Sequence, residues 1–352
     1  MHKKSIITAI IIFINTILNS GITHENFNIK NKYVISSIKN INLPNNLKII
    51  NTKESIIQIQ KIQQYSPRLY KKNLYIYTII KKWLQNNGSI KELKKLNIKL
   101  YTLKNVYKKN NIKFTSYYTP IINAKKIPDK NFLYPIYSIP YNLVKHSILP
   151  TRKKIYQGIL NKKYILAYSN SLIQNFFMDI QGSGLVNFKN KKPLVLFSYS
   201  GKNHWPYTSI GKTLIHTKII KKKNVSLLTI LNWSKRTPIY KIKSVLETNK
   251  SFVFFKPRKK RIITGALCVP LIPKTAVASD KTIIPPGSII LSKFPVLDKN
   301  GKYKNCEIRL LIALDTGAAI KNQKLDIYQG IGELSGIKAG FYNHYGSIWI
   351  LK

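Results

Sequence analysis

The chain has 352 residues, 44% of them hydrophobic and 11% aromatic, which excludes a disordered polymer and leaves room for one large domain or two with real cores. Its 60 Lys and Arg face only 12 Asp and Glu, a net charge of +48. Such a charge attracts polyanions: nucleic acid, an anionic membrane or a charged cell-wall polymer.

Residues 1–20 open with the basic MHKK and continue into the apolar ITAIIIFINTIL, followed by Asn19, Ser20 and Gly21. That pattern predicts a signal peptide or N-terminal anchor and an exported body. Residues 22–65 show little periodicity and are expected to form a mobile leading segment. Leu74, Tyr77, Ile80, Trp83 and Leu84 fall on one helical face, ended by Asn86-Asn87-Gly88. Ser89 and Glu92 have the spacing of a capping box for a second short helix. From Phe114 the texture is that of strands: FTSYYTPII, YPIYSIP and YILAYSNSL, then FFMDIQGSGLVNF as strand, glycine turn and strand. Helices are expected in SIGKTLIHTKII and SLLTILNWSK, and strands again in ALCVPLI, SIILSKF, EIRLLIALD and GSIWIL. The fold class is therefore mainly β with some helices.

Most chemical motifs fail. Only 6 of the basic residues are Arg, and they are scattered, so no specific nucleic acid readout is expected. The plain reading of the lysines is a solvated surface. Cys268 and Cys306 lack metal-site spacing, and Cys268 in GALCVPLI reads as a buried free thiol. No metal and no cofactor are expected. Gly211-Lys212-Thr213 is the tail of a phosphate loop, but Pro206 stands where its first glycine belongs. Ser183 sits between Gly182 and Gly184, which is not the spacing of a nucleophile elbow.

The sparse carboxylates remain. Asp298 belongs to a DKNG turn, Asp280 to the turn before Pro285-Pro286, and Asp315 is placed to receive N–H groups from Thr316 and Gly317. Asp326, in LDIYQGIG, lies on a period-2 strand facing away from Leu325 and Ile327 and sharing a face with Tyr328, an aromatic of the kind that stacks on sugars. Structural and catalytic roles both stand open for it. A carboxyl half-shielded by apolar walls stays protonated at higher pH and can act as a general acid. That requires Lys321 and Lys324 to point into water.

These residues carry a resemblance. VASDKTIIPPGSII, EIRLLIALDTGAAIKNQKLDIYQGIG and GFYNHYGSIWILK resemble the three-aspartate C-terminal domain of the membrane-bound lytic murein transglycosylase A family. SPRLY, FTSYYTPII, YPIYSIP, KYILAYSNSLIQNFFMDIQGSG, FSYSGKN, SIGKTLI and SFVFFKP resemble its other segments in the same order, from about Ser66 to Lys352. The resemblance implies a double-psi β-barrel domain from 21–121 and 259–352, and a smaller inserted β-barrel domain over 122–258, with a glycan groove between them. It implies cleavage of the β-1,4 bond between N-acetylmuramic acid and N-acetylglucosamine in peptidoglycan, leaving a 1,6-anhydromuramoyl end. Asp326 matches the catalytic residue, acid first and base second, with Asp315 and Asp280 in support. Tyr117, Tyr118, Thr119, Gln181, Gly182, Ser183, Gly184, Lys202, Asn203 and Tyr328 are candidate glycan contacts. Peptidoglycan glycan strands and other cell-wall enzymes are the implied partners, with membrane association through the N-terminus, and the periplasm with attachment to the outer membrane is the implied location. No Cys follows the leading segment, so lipidation is not implied. Asn322 and Ala318 stand where the family often has Gly. Two other readings stay open: a glycan hydrolase using Asp315 and Asp326 as a pair, and an inactive basic protein binding glycan or nucleic acid.

Overall fold

The computed structural model describes residues 24–28, 33–38, 41–105, 112–140, 149–189, 193–259, 261–298, 300–317 and 319–352. The expected signal segment 1–20 and Ala318 lie outside them. Two compact units emerge, one from residues up to Ser116 with Thr264–Tyr328 and Tyr342–Lys352, the other from Tyr117–Ile263 with Gln329–Phe341.

The first unit is built on a sheet ordered β1 (His24–Asn28), β2 (Tyr33–Ile38), β3 (Leu100–Asn105), β15 (Asn343–Leu351), β12 (Ile289–Leu297), β13 (Tyr303–Asp315), β11 (Ala276–Ala278), β14 (Lys324–Ile331) and β4 (Ile112–Thr119). A further pairing of β15 with β4 closes the last six strands into a ring. Alternating side chains fill it: Phe114, Val277, Ile290, Leu311, Leu325 and Ile327 are buried in one cluster. Closure leaves the six strands without an open edge.

Helices flank this sheet. Residues 52–65, expected to be mobile, instead form α1 (Thr52–Tyr65). Its buried Gln58 donates to Pro270 O and accepts from Ile272 N, which ties the helix to the loop ahead of β11. Just before α1, Asn51 donates to Thr275 Oγ1 and Leu310 O and accepts from Leu310 N. After α2 (Pro67–Lys72), α3 (Leu74–Gln85) buries Ile76, Tyr77, Ile80, Trp83 and Leu84, while Leu74 is exposed. The Tyr77 hydroxyl donates to Gly287 O at 2.7 Å. Gly287 follows the double proline at φ +83°, and a Cβ there would meet that hydroxyl at 2.8 Å, so the turn requires glycine. α4 (Ile90–Leu93) is one turn long. No side-chain cap forms at Ser89, and Glu92 pairs with Lys95 rather than completing a capping box. ALCVPLI is not a strand; only an isolated bridge joins Thr264 to Pro270. Cys268 there is exposed at φ +57°, not a buried thiol, because the chain turns on it. Cys306 is also free.

The second unit holds a six-stranded sheet ordered β10 (Val253–Arg258), β9 (Val195–Lys202), β8 (Ser183–Asn187), β5 (Ile121–Lys125), β7 (Ile165–Ser169) and β6 (Tyr134–Tyr137). Around it lie α5 (Arg152–Tyr156), α6 (Leu172–Gln181), α7 (Ile210–His216), α8 (Leu227–Lys235), α9 (Ile239–Glu247) and α10 (Glu333–Phe341). FFMDIQ belongs to α6 and is not a strand. Ser171 caps its start by accepting from Gln174 N, and Gly182 ends it in the left-handed conformation at φ 74°. The core holds a buried ion pair, Arg152 to Asp179 at 2.8 Å. The same guanidinium donates to Tyr156 Oη, Asn249 O and Ser251 O and stacks on Phe176 and Phe252. Burial pushes Asp179 up to about 6 although Arg152 draws it down. Among the described residues no helix is long and apolar enough to cross a membrane.

Candidate active site

Asp326 follows from the strand pattern. On β14, Leu325 and Ile327 enter the barrel interior and Asp326 faces outward, half-buried. Its Oδ1 accepts the Thr115 hydroxyl of β4 at 2.5 Å. Burial holds the carboxyl above the ordinary carboxylate range. The Thr115 hydrogen bond and the charge of Lys324 draw it down, and Asp315 pushes it up. Lys321 is exposed, as expected. Lys324 is not turned away: it sits half-buried two residues from Asp326 on the same strand, and its charge reaches the carboxyl.

The three aspartates converge through β11. Ala278 pairs with Asp326 on one side and with Asp315 on the other. Asp315 is thus two strands from Asp326, about 10 Å across the sheet. Its Oδ1 accepts Ala266 N and Thr316 N, both at 2.8 Å. Asp280 lies two residues beyond Ala278 and is buried. Its Oδ1 accepts the Thr282 N–H and hydroxyl, and its Oδ2 accepts Asn322 N at 3.1 Å. Burial pushes Asp280 up, but these bonds and the charge of Lys321 outweigh it and hold the carboxyl below its ordinary value. Asn322 has φ 58°, a conformation Asn tolerates and most residues do not. Asp280 and Asp315 therefore each accept backbone N–H groups, Asp280 with the Thr282 hydroxyl in addition, while Asp326 meets the Thr115 hydroxyl. The pairing of β4 with β14 brings Thr115 to Asp326, a contact that FTSYYT alone does not reveal.

The second unit gathers some of the expected glycan contacts. Gln181 Oε1 accepts Tyr118 N at 3.0 Å, and Pro120 O accepts Leu185 N at 2.8 Å, which sets the Gln181–Gly184 turn beside the strand that carries Tyr117. Several side chains are not available there. Tyr118 and Thr119 are buried, and Thr119 O accepts Gly332 N. Gly184 is buried against Met178. Asn203 is fully buried: its amide donates to Pro150 O and Lys250 O and accepts Phe252 N, so it pins a loop and offers nothing to a sugar. Ser183 pairs with Ser198, four residues from Lys202 along β9, so Lys202 stands apart from the Gln181–Gly184 turn. In the first unit, the Tyr328 side chain is 2% exposed, packed rather than presented to solvent. Among the described residues no three His, Cys, Asp or Glu converge as a metal site requires.

Comparison with known proteins assigns both parts of the chain. Residues 113–256 match the MltA specific insert domain and residues 275–352 match the 3D domain. Fold and site thus define a 3D-domain protein carrying that insert. A protein of Buchnera aphidicola subsp. Schizaphis graminum named "Membrane-bound lytic murein transglycosylase A homolog" is 49% identical over 359 residues, 100% of this chain and 98% of the relative. The Escherichia coli (strain K12) protein named "Membrane-bound lytic murein transglycosylase A" is 45% identical over 304 residues, 86% of this chain and 82% of the relative. The chain belongs to the membrane-bound lytic murein transglycosylase A family. The crystal structure of E. coli MltA with bound chitohexaose aligns with a TM-score of 0.84 at 43% identity, over 89% of this chain and 93% of that one.

Proposed function

We propose that this protein is a lytic murein transglycosylase, a lyase that cleaves the β-1,4 bond between N-acetylmuramic acid and N-acetylglucosamine in peptidoglycan and leaves a 1,6-anhydromuramoyl end. Asp326 is its acid and then its base. The observation that carries this reading is the contrast among the aspartates. Asp280 and Asp315 accept backbone N–H groups, whereas Asp326 is half-buried, outward-facing and held above the ordinary carboxylate range by burial. A protonated Asp326 donates to the leaving glycosidic oxygen. The resulting carboxylate takes the proton from the sugar's own 6-hydroxyl as that oxygen attacks C1, an intramolecular attack with a high effective concentration.

The hydrolase with Asp315 and Asp326 as acid and base is less well supported. Two strands separate them, wider than the roughly 5 Å of a retaining pair and near the roughly 6.5–9.5 Å of an inverting one, but an oxygen of Asp315 is already engaged by two backbone N–H groups, which ties that carboxylate to the loop. The bound chitohexaose of the E. coli relative supports glycan strands as the ligand, and the relatives' name supports a membrane-associated place in the periplasm. Digestion of purified sacculi tests the reading. Anhydro ends should appear with wild type and fall about 10²- to 10⁴-fold with Asp326→Asn. Ordinary reducing ends would overturn it.

A further inference from the structure

Cross-strand partners of an antiparallel pair point to the same face of a sheet. β15 sets Asn343 opposite Thr115 and Tyr345 opposite Lys113. Thr115 touches Asp326, and Lys324 lies two residues before Asp326 on β14. Lys113, Thr115, Lys324, Asp326, Asn343 and Tyr345 therefore share the outward face of the ring, while Ile112, Phe114, Leu325 and Ile327 on the same strands are buried. The backbone draws the lysine strands together, because Lys113 N donates to Gln323 O at 2.9 Å. Tyr345 is 61% exposed beside them.

The lysines are not arranged as a solvated surface pair. Lys324 is half-buried, and its ammonium donates to Ala319 O at 3.3 Å. Burial holds it below the ordinary lysine range, Asp326 opposes that, and the charge of Lys113 adds to it. Among the described residues neither lysine has a carboxylate within ion-pair distance. Two repelling cations kept on one face, one partly desolvated, are relieved by an anion placed between them.

We propose that Lys113 and Lys324, with the Tyr345 ring beside them, form a subsite for a carboxylate borne by the glycan, so that the site selects acidic muramoyl strands over neutral chitin-type ones. The proposal rests on the glycan-cleaving reading above and names what that site discriminates. The carboxylate belongs to the lactyl ether of the sugar or to its attached peptide, and strands with and without peptide separate the two.

The test is binding to Asp326→Asn protein, which removes turnover. Native murein strands, the same strands with carboxylates converted to amides, and peptide-free strands are titrated at low salt. Native strands should bind about three- to ten-fold more tightly than amidated ones, the reach of one or two partly exposed ion pairs. The preference should weaken with salt and vanish in Lys113→Gln/Lys324→Gln. It should persist in Lys113→Arg/Lys324→Arg, which keeps the charge and controls for folding. Equal binding of native and amidated strands overturns the proposal, as does a preference that survives the Gln pair or is lost in both pairs. Failure of the parent reading appears separately, as ordinary reducing ends from wild type on sacculi.

Discussion

The Thr115 hydroxyl sits 2.5 Å from Asp326 Oδ1, donating from β4 to the carboxyl that β14 presents on the same face. This bond favours the ionised form, as does the charge of Lys324, against burial and Asp315. Turnover begins with protonated Asp326, so kcat/KM falls as pH rises through its pKa. Thr115→Val and Lys324→Met each remove a downward influence and should move that falling limb to higher pH. Asp315→Asn removes an upward one and should move it lower. Thr115→Ser should restore the wild-type profile. The measurement is the pH dependence of anhydro-product release; a limb that ignores all three changes would mean that Asp326 is not the acid.

Asp280 is expected to matter for stability before chemistry. Asp280→Ala leaves the Thr282 and Asn322 N–H groups without their acceptor, at a cost of about 2–3 kcal/mol. Its pKa is lowered in the folded protein from an ordinary 3.8. The stability it supplies is therefore complete above that value and lost as pH falls below it. Denaturant unfolding between neutral pH and pH 3 should show a steeper acid loss for wild type than for the variant.

Asn322 carries backbone strain that its side chain tolerates. At φ 58°, Asn322→Ala should cost about 1 kcal/mol. Asn322→Gly should change the melting temperature little or raise it slightly. A comparison of the two by thermal melting is sufficient.

Arg152 should be the most sensitive position of the second unit outside its apolar core. Arg152→Met leaves Asp179 buried and unpaired and should cost about 3–5 kcal/mol. Arg152→Met with Asp179→Leu should recover much of that loss, because two apolar side chains replace the pair. A double variant no better than Arg152→Met alone would mean that the stacking of Arg152 on Phe176 and Phe252 carries its role.

The sequence pattern exposed β14 and its outward aspartate because Leu325 and Ile327 alternate cleanly with Lys324 and Asp326. It hid α1, whose buried stripe is Ser55, Gln58, Ile59 and Ile62. Two of those four are polar, and one of them, Gln58, is buried through partners more than 200 residues away, Pro270 and Ile272. α6 was masked in another way. Its central run Phe176-Phe177-Met178 is continuous and buried throughout, and a short continuous apolar run reads as a strand as readily as a helix. Its true signals were the ends, Ser171 and Gly182. Only the resemblance groups Lys202 and Asn203 with the Gln181–Gly184 turn, and no local pattern reveals that Asn203 is consumed by three backbone partners.

The ring of six strands has a consequence for how the chain folds. One member, β4, ends at Thr119, and the next in sequence, β11, begins at Ala276. Every pairing of β4 within the ring thus closes a loop of more than 150 residues, an entropic cost that grows with the logarithm of that length. Prior collapse of the intervening residues onto their own sheet shortens the loop that must be closed. Assembly of the barrel, and with it the meeting of Thr115 and Asp326, is accordingly expected to come late in folding, after the inserted segment has collapsed.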